Sequence, residues 1–133
     1  MSGAFQAPPA AVGSSPRVAL ARLALHAALA VPDVVAGDAG PHGLRVTADP
    51  SGGFFVGVSV TAEPDGRYAV DLRLVARLAP LMALGETVRR RVHESARRLD
   101  VWDRLGTVNV EFASVIDPFE AGVTPGPGEE ELG

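Results

Sequence analysis

Two alternating apolar runs separated by a turn constrain this chain more than any other feature. Phe54, Val56, Val58 and Val60 fall on one side of the first run, with Phe55, Gly57, Ser59 and Thr61 on the other. After Pro64-Asp65-Gly66 comes a second run, in which Tyr68, Val70, Leu72 and Leu74 alternate with Ala69, Asp71, Arg73 and Val75. A period of two is the strand period, because successive side chains point to opposite faces. The Pro-Asp-Gly step is a turn signal. The pair therefore reads as a β-hairpin over residues 54–75. An isolated hairpin is marginal in water, so its apolar face needs cover.

Two helical patterns offer that cover. Ser15 is a good N-cap and Pro16 suits the first helical position. The helix body runs from Arg17 to Ala30, with Leu20, Leu23, Ala24 and Ala27 on one stripe and Leu25 and Leu29 beside it. Arg22 and His26 mark its wet side, and Pro32 stops it. A helix this apolar is buried on more than one side. The second pattern spans Pro80 to Leu99, where Leu81, Leu84, Val88, Val92, Ala96 and Leu99 recur at three-and-four spacing. Two more strands are expected: Leu44–Thr47, and Thr107–Val115 with Val108, Val110 and Phe112 inward and Asn109 and Glu111 outward. The expected fold is α+β: a small antiparallel or mixed sheet of three to four strands, with two helices packed on one face.

This material occupies residues 15–117 of a 133-residue chain, one domain's worth. Residues 1–14, rich in Ala, Pro, Gly and Ser, are expected to be disordered. Residues 118–133 carry Thr124-Pro125-Gly126-Pro127-Gly128 and then Glu129, Glu130 and Glu131, and read as a flexible acidic tail. The start lacks a basic region ahead of an apolar stretch, so no signal peptide is expected. No apolar run approaches the ~20 residues that span a bilayer. The expected location is cytoplasmic.

Four segments, in order, resemble one known family. Val18-Ala19-Leu20-Ala21-Arg22-Leu23-Ala24 through Val31-Pro32-Asp33-Val34 is similar to the opening helix and turn of the bacterial alkaline shock protein family, also called the envelope stress response family. Tyr68-Ala69-Val70-Asp71-Leu72-Arg73-Leu74-Val75 resembles one of its strands. Val88-Arg89-Arg90-Arg91-Val92 resembles its second helix, and Thr107-Val108-Asn109-Val110-Glu111-Phe112 its closing strand. Arg77-Leu78-Ala79-Pro80-Leu81-Met82 departs from the family pattern before that helix, and Arg91 replaces a common acidic position, as in a divergent member. The resemblance implies a non-enzymatic protein linked to cell-envelope stress. It also implies partners that are other copies of the chain or a membrane-anchoring protein, and recruitment to the inner face of the membrane. It transfers no catalytic residue.

A search for chemistry agrees with that expectation. With no cysteine, disulfides, thiol catalysis and Cys-ligated metals are excluded. His26, His42 and His93 sit on separate elements without a second ligand at metal spacing. His42, near Asp38 and Asp49, reads as a solvated loop residue. No Gly-x-Ser-x-Gly elbow, Walker or dinucleotide motif is present. Gly37-Asp38-Ala39-Gly40 has the spacing of an RNA-clamping loop, but it carries an Asp and leads into a strand, so it reads as a plain loop. Asp71 and Glu111 would approach each other if their strands pair; a polar sheet face is the simpler reading. No cofactor, metal or enzymatic activity is expected.

The second helix carries the most informative charges. Glu86, Arg90, Glu94 and Arg98 form an alternating ladder at four-residue spacing. Arg89, His93 and Arg97 form a neighbouring stripe, and these three are the candidate partner-binding residues. From Glu86 to Arg98, five Arg against two Glu give +3, while Asp117, Glu120, Glu129, Glu130 and Glu131 give −5 beyond the last strand. The stripe reads as a solvated face, a surface for an acidic partner, or a dock for the chain's own tail. The alternative function is a small nucleic-acid-binding domain using this helix. The net charge of −4 and the single Tyr and Trp weigh against it. Trp102 is expected at the core or its edge, where removal would cost about 3 kcal/mol.

Overall fold

The structure, a computed structural model, describes residues 15–117. The segments 1–14 and 118–133, expected as a disordered start and an acidic tail, lie outside the described residues. The fold is α+β. Helix α1 spans Pro16–Leu29, followed by β1 (Val34–Gly37), β2 (Val46–Ala48), β3 (Phe54–Val56), β4 (Val58–Ala62) and β5 (Tyr68–Arg77). Helix α2 spans Leu81–Arg98, and β6 (Leu105–Ile116) closes the domain. No helix among the described residues is long and apolar enough to cross a membrane.

Helix α1 begins as its sequence dictates. Ser15 Oγ accepts from the Val18 N–H at 3.2 Å, and Pro16 occupies the first turn. Val18, Leu20, Ala21, Leu23, Ala24, Ala27 and Ala28 are buried, which is more than one stripe and suits a helix in contact with several elements. Pro32 lies in a tight turn, closed by the Val34 N–H donating to Val31 O at 3.1 Å. That turn delivers the chain directly into β1, a strand not expected from sequence.

The main sheet is mixed and centred on β5. Strand β6 runs parallel to β5, with Leu72 opposite Val110 and Leu74 opposite Phe112. Strands β4 and β1 are both antiparallel to β5: β4 pairs with its first half (Val58 to Leu72, Ala62 to Tyr68), and β1 with its second (Gly37 to Leu74, Val34 to Ala76). A parallel neighbour cannot be reached by a tight turn, and α2 is the required crossover. Helices α1 and α2 cover the face that carries Val70, Leu72, Leu74 and Ala76, packing Leu20, Ala24, Val88 and Val92 against them. The opposite face carries Ala69, Asp71, Arg73 and Val75, all half-buried. Strands β2 and β3 form a separate two-stranded ribbon, with Val46 opposite Val56 and Ala48 opposite Phe54.

The hairpin over residues 54–75 forms with one break. Alternation fails at Gly57, which has φ +102°. Val58 and Val60 are buried as expected, but Phe54 is 69% exposed and Val56 42% exposed, while Phe55 packs against the core. One residue out of the pleat reverses the facing of everything before it. The Gly57 N–H donates to Arg45 O at 2.6 Å, and Gly57 O accepts from the Arg73 N–H at 2.8 Å. A Cβ on Gly57 would sit 2.5 Å from Gly37 Cα. Gly57 is therefore the crossing point between β3 and β4, set where β1 and β4 meet along β5.

Three further expectations shift. The strand expected at Leu44–Thr47 lies at Val46–Ala48, and Leu44 is 63% exposed. Leu99 caps α2 and is also exposed rather than part of the core stripe, because the helix ends at Arg98. Trp102 lies in a single 3-10 turn after α2 and is 54% exposed, outside the core where it was expected, because the chain leaves the helix on its solvent side.

Candidate functional site

Arg89, His93 and Arg97 do not form one surface. Arg89 is half-buried and turned onto the sheet: its Nε donates to Val108 O of β6 at 3.1 Å, and its terminal NH1 donates to Glu86 Oε2 at 2.8 Å. It braces α2 on β6. His93 and Arg97 are exposed, and neither side chain has a hydrogen bond or ion pair among the described residues. Only this pair remains open to a partner. The four-residue ladder also re-pairs. Glu86 takes Arg89 instead of Arg90, Glu94 lies 4.0 Å from Arg91, and Arg98 donates to Ser95 Oγ at 3.1 Å. Pairs at three-residue spacing are as accessible on a helix as those at four.

The polar face of the sheet is organised around Arg73. Its Nε donates to Asp38 Oδ2 at 2.8 Å, and its NH1 donates to Glu111 Oε2. Asp38 also accepts from the Gly40 N–H at 3.0 Å. The Arg73 guanidinium, and then the Gly40 amide, hold the Asp38 carboxyl below the usual aspartate range. The hydrogen bond to Asp38 in turn holds Arg73 above its ordinary value. Asp71 accepts from Asn109 Nδ2 at 2.9 Å. Parallel register sets Asp71 opposite Asn109 and Arg73 opposite Glu111, so Asp71 and Glu111 each take a different cross-strand partner. The two carboxylates do not form a pair. Asp38 is absorbed into this network, and His42 stands exposed on the following turn at φ +59°. Among the described residues no three His, Cys, Asp or Glu groups gather as a metal site.

Two concave surfaces flank α2. The first lies between the C-terminal half of α1 and the end of α2, with a volume of about 470 Å³. Leu23, Leu99 and Val101 give it an apolar floor; Arg22, His26 and Arg98 stand around it. Arg22 also lies 3.9 Å from Asp49 and 5.6 Å over the Phe55 ring, with its side chain half exposed. The second, about 260 Å³, lies between α2 and β6, lined by Met82, Gly85, Arg89, Val110 and Phe112. Beside it, Leu78 is 63% exposed and Met82 89% exposed. The Leu78 N–H donates to Ile116 O at 3.0 Å, which draws the half-exposed Val115 and Ile116 to the same end. Strand β6 pairs only with β5 among the described residues, so its outer edge adjoins this apolar end.

The stripe from Leu81 to Ala96 was visible as a periodicity; Met82 was not, because it lies off that stripe. An apolar residue on the polar side of an amphipathic helix was the available signal. Compared with known proteins, the chain matches no family model, no curated protein and no solved structure.

Proposed function

We propose that this protein is a non-catalytic interaction module, with a role similar to that of envelope stress response proteins. It acts by binding further copies of itself or a membrane-linked protein that recruits it to the inner face of the membrane. The observation that carries this reading is the apolar end formed by Leu78, Met82, Val115 and Ile116 beside the unpaired edge of β6. Contiguous exposed apolar surface and an open strand edge are both features that protein partners cover. The ordered resemblance of residues 18–34, 68–75, 88–92 and 107–112 to the alkaline shock protein family supports the same class of function. The nucleic-acid reading is weaker, since Arg89 is engaged with Val108 and Glu86 and the basic stripe reduces to Arg97 and His93.

Sedimentation of the full chain over a range of concentrations, with capture from native membranes and cytosol, tests the proposal. The expected result is self-association or recovery of one specific membrane protein, lost in Met82→Lys. A monomer at every concentration that captures nothing refutes it.

A further inference from the structure

The groove between α1 and α2 holds a buried hydroxyl whose proton has no acceptor. We propose that this groove binds a small amphipathic carboxylate, with its aliphatic or aryl body on Leu23, Leu99 and Val101 and its carboxylate on Ser95 and Arg98. Three observations carry this. The first is the hydroxyl. Ser95 is 8% exposed and lines the groove. Its Oγ accepts from Arg98 NH2 at 3.1 Å, yet its own O–H donates to nothing among the described residues. Thr87 on the same helix shows the ordinary alternative, donating to the Ala83 carbonyl one turn back at 3.1 Å. Buried polar groups are nearly always satisfied, and a hydroxyl has one proton to give. The Ser95 O–H and the remaining N–H groups of Arg98 are all donors, so the group that completes them is an acceptor. Beside a guanidinium the strongest acceptor is an anion.

The second is charge. Arg22, His26 and Arg98 line the groove and, among the described residues, no carboxylate does, although the chain as a whole carries −4. Asp100 and Asp103 line the neighbouring groove instead. Arg22 meets Asp49 only at 3.9 Å, which leaves most of its five donors open. Arg98 is not consumed as a helix cap, because the Ser95, Ala96 and Arg97 carbonyls accept from the N–H groups of Leu99, Val101 and Asp100. The third is size. The volume of about 470 Å³ falls within the range of about 300–1,000 Å³ for small-molecule sites. A protein partner engages about 20–30 residues a side, and eight residues line this groove. Leu99, 63% exposed, gives it an apolar wall at the end of α2.

This site stands apart from the partner surface, since Met82 lies at the opposite end of α2.

Sodium octanoate is the probe, titrated into the isotope-labelled full chain and followed by amide shifts. Saturable shifts are expected at Leu23, Ser95, Arg98 and Leu99. Acetate and 1-octanol, which carry the head and the body separately, should each bind at least tenfold more weakly. From butanoate to octanoate the affinity should rise by up to about fourfold per methylene, the factor that corresponds to about 0.8 kcal/mol per buried CH₂. Arg98→Gln should weaken octanoate at least tenfold. Arg97→Gln removes the same charge one residue away and outside the groove, and should stay within twofold. Both arginines are exposed, so neither change disturbs the fold. Octanol binding as tightly as octanoate overturns the anion assignment. Equal losses in Arg97→Gln and Arg98→Gln, or shifts centred on the Met82 end, overturn the site.

Discussion

Gly57→Ala should be the most damaging single-methyl addition in this protein. Two separate costs coincide there. At φ +102° an alanine carries left-handed strain of about 1–2 kcal/mol. Its Cβ would also lie 2.5 Å from Gly37 Cα and 2.9 Å from Arg73 O. Both obstacles are backbone, so relief requires β1 or β5 to move, and overpacking of this kind costs about 1–3 kcal/mol. The alanine narrows the unfolded ensemble, which returns about 0.4–1 kcal/mol. The net loss is about 3 kcal/mol. With a urea slope of about 1.5 kcal/mol/M, the unfolding midpoint falls by about 2 M. Gly66→Ala is the control: φ is +90° there, but nothing lies within 4 Å of a Cβ. It retains the strain and the unfolded-state gain without the collision, so its midpoint should fall by well under 1 M. Gly37→Ala isolates the collision, because its Cβ would strike the Val56 carbonyl without a positive φ. Urea melts followed by far-UV circular dichroism decide the matter. If Gly57→Ala and Gly66→Ala lose the same stability, the close crossing of β1 and β4 is not tightly packed and the account of the sheet is wrong.

Leu72→Ala, at the centre of β5 and 1% exposed, should cost about 3 kcal/mol in the same melts. Trp102→Ala should cost under about 1 kcal/mol, because the side chain is half exposed; a larger loss would show that the ring packs. Asp38 and Asp49 have folded values below the ordinary aspartate value of about 3.9, so their contribution is present above it and is lost as pH falls through the folded values. Asp38→Asn should therefore be less stable than the parent at neutral pH and converge with it in acid, read as urea midpoints from about pH 2 to 6. Divergence in acid would reverse the assigned sign.

Periodicity identified the strongly patterned elements because burial follows local repeats. Ser15 and Pro16 start α1, Leu84, Val88, Val92 and Ala96 face the core from α2, and Val70, Leu72 and Leu74 do so from β5. It failed where one residue carries no pattern of its own. Gly57 reverses the facing of Phe54 and Val56. Strand β1, only four residues long, has too few positions to show a period.

The candidate site was less legible, for a different reason. Charge spacing on α2 offered Arg89, His93 and Arg97 as equals, since helical geometry treats positions four apart alike. Only the parallel placement of β6 brings the Val108 carbonyl to Arg89 and removes it from the stripe. The same register turns Asp71 to Asn109 and Glu111 to Arg73. The amino-acid order by itself determined the two helices, the strands β4, β5 and β6 and their apolar faces, because those depend on residues a few positions apart. Only the tertiary structure decided that Arg89 turns onto β6 and how the charges of the sheet face pair, because those partners lie 19 to 38 residues away along the chain.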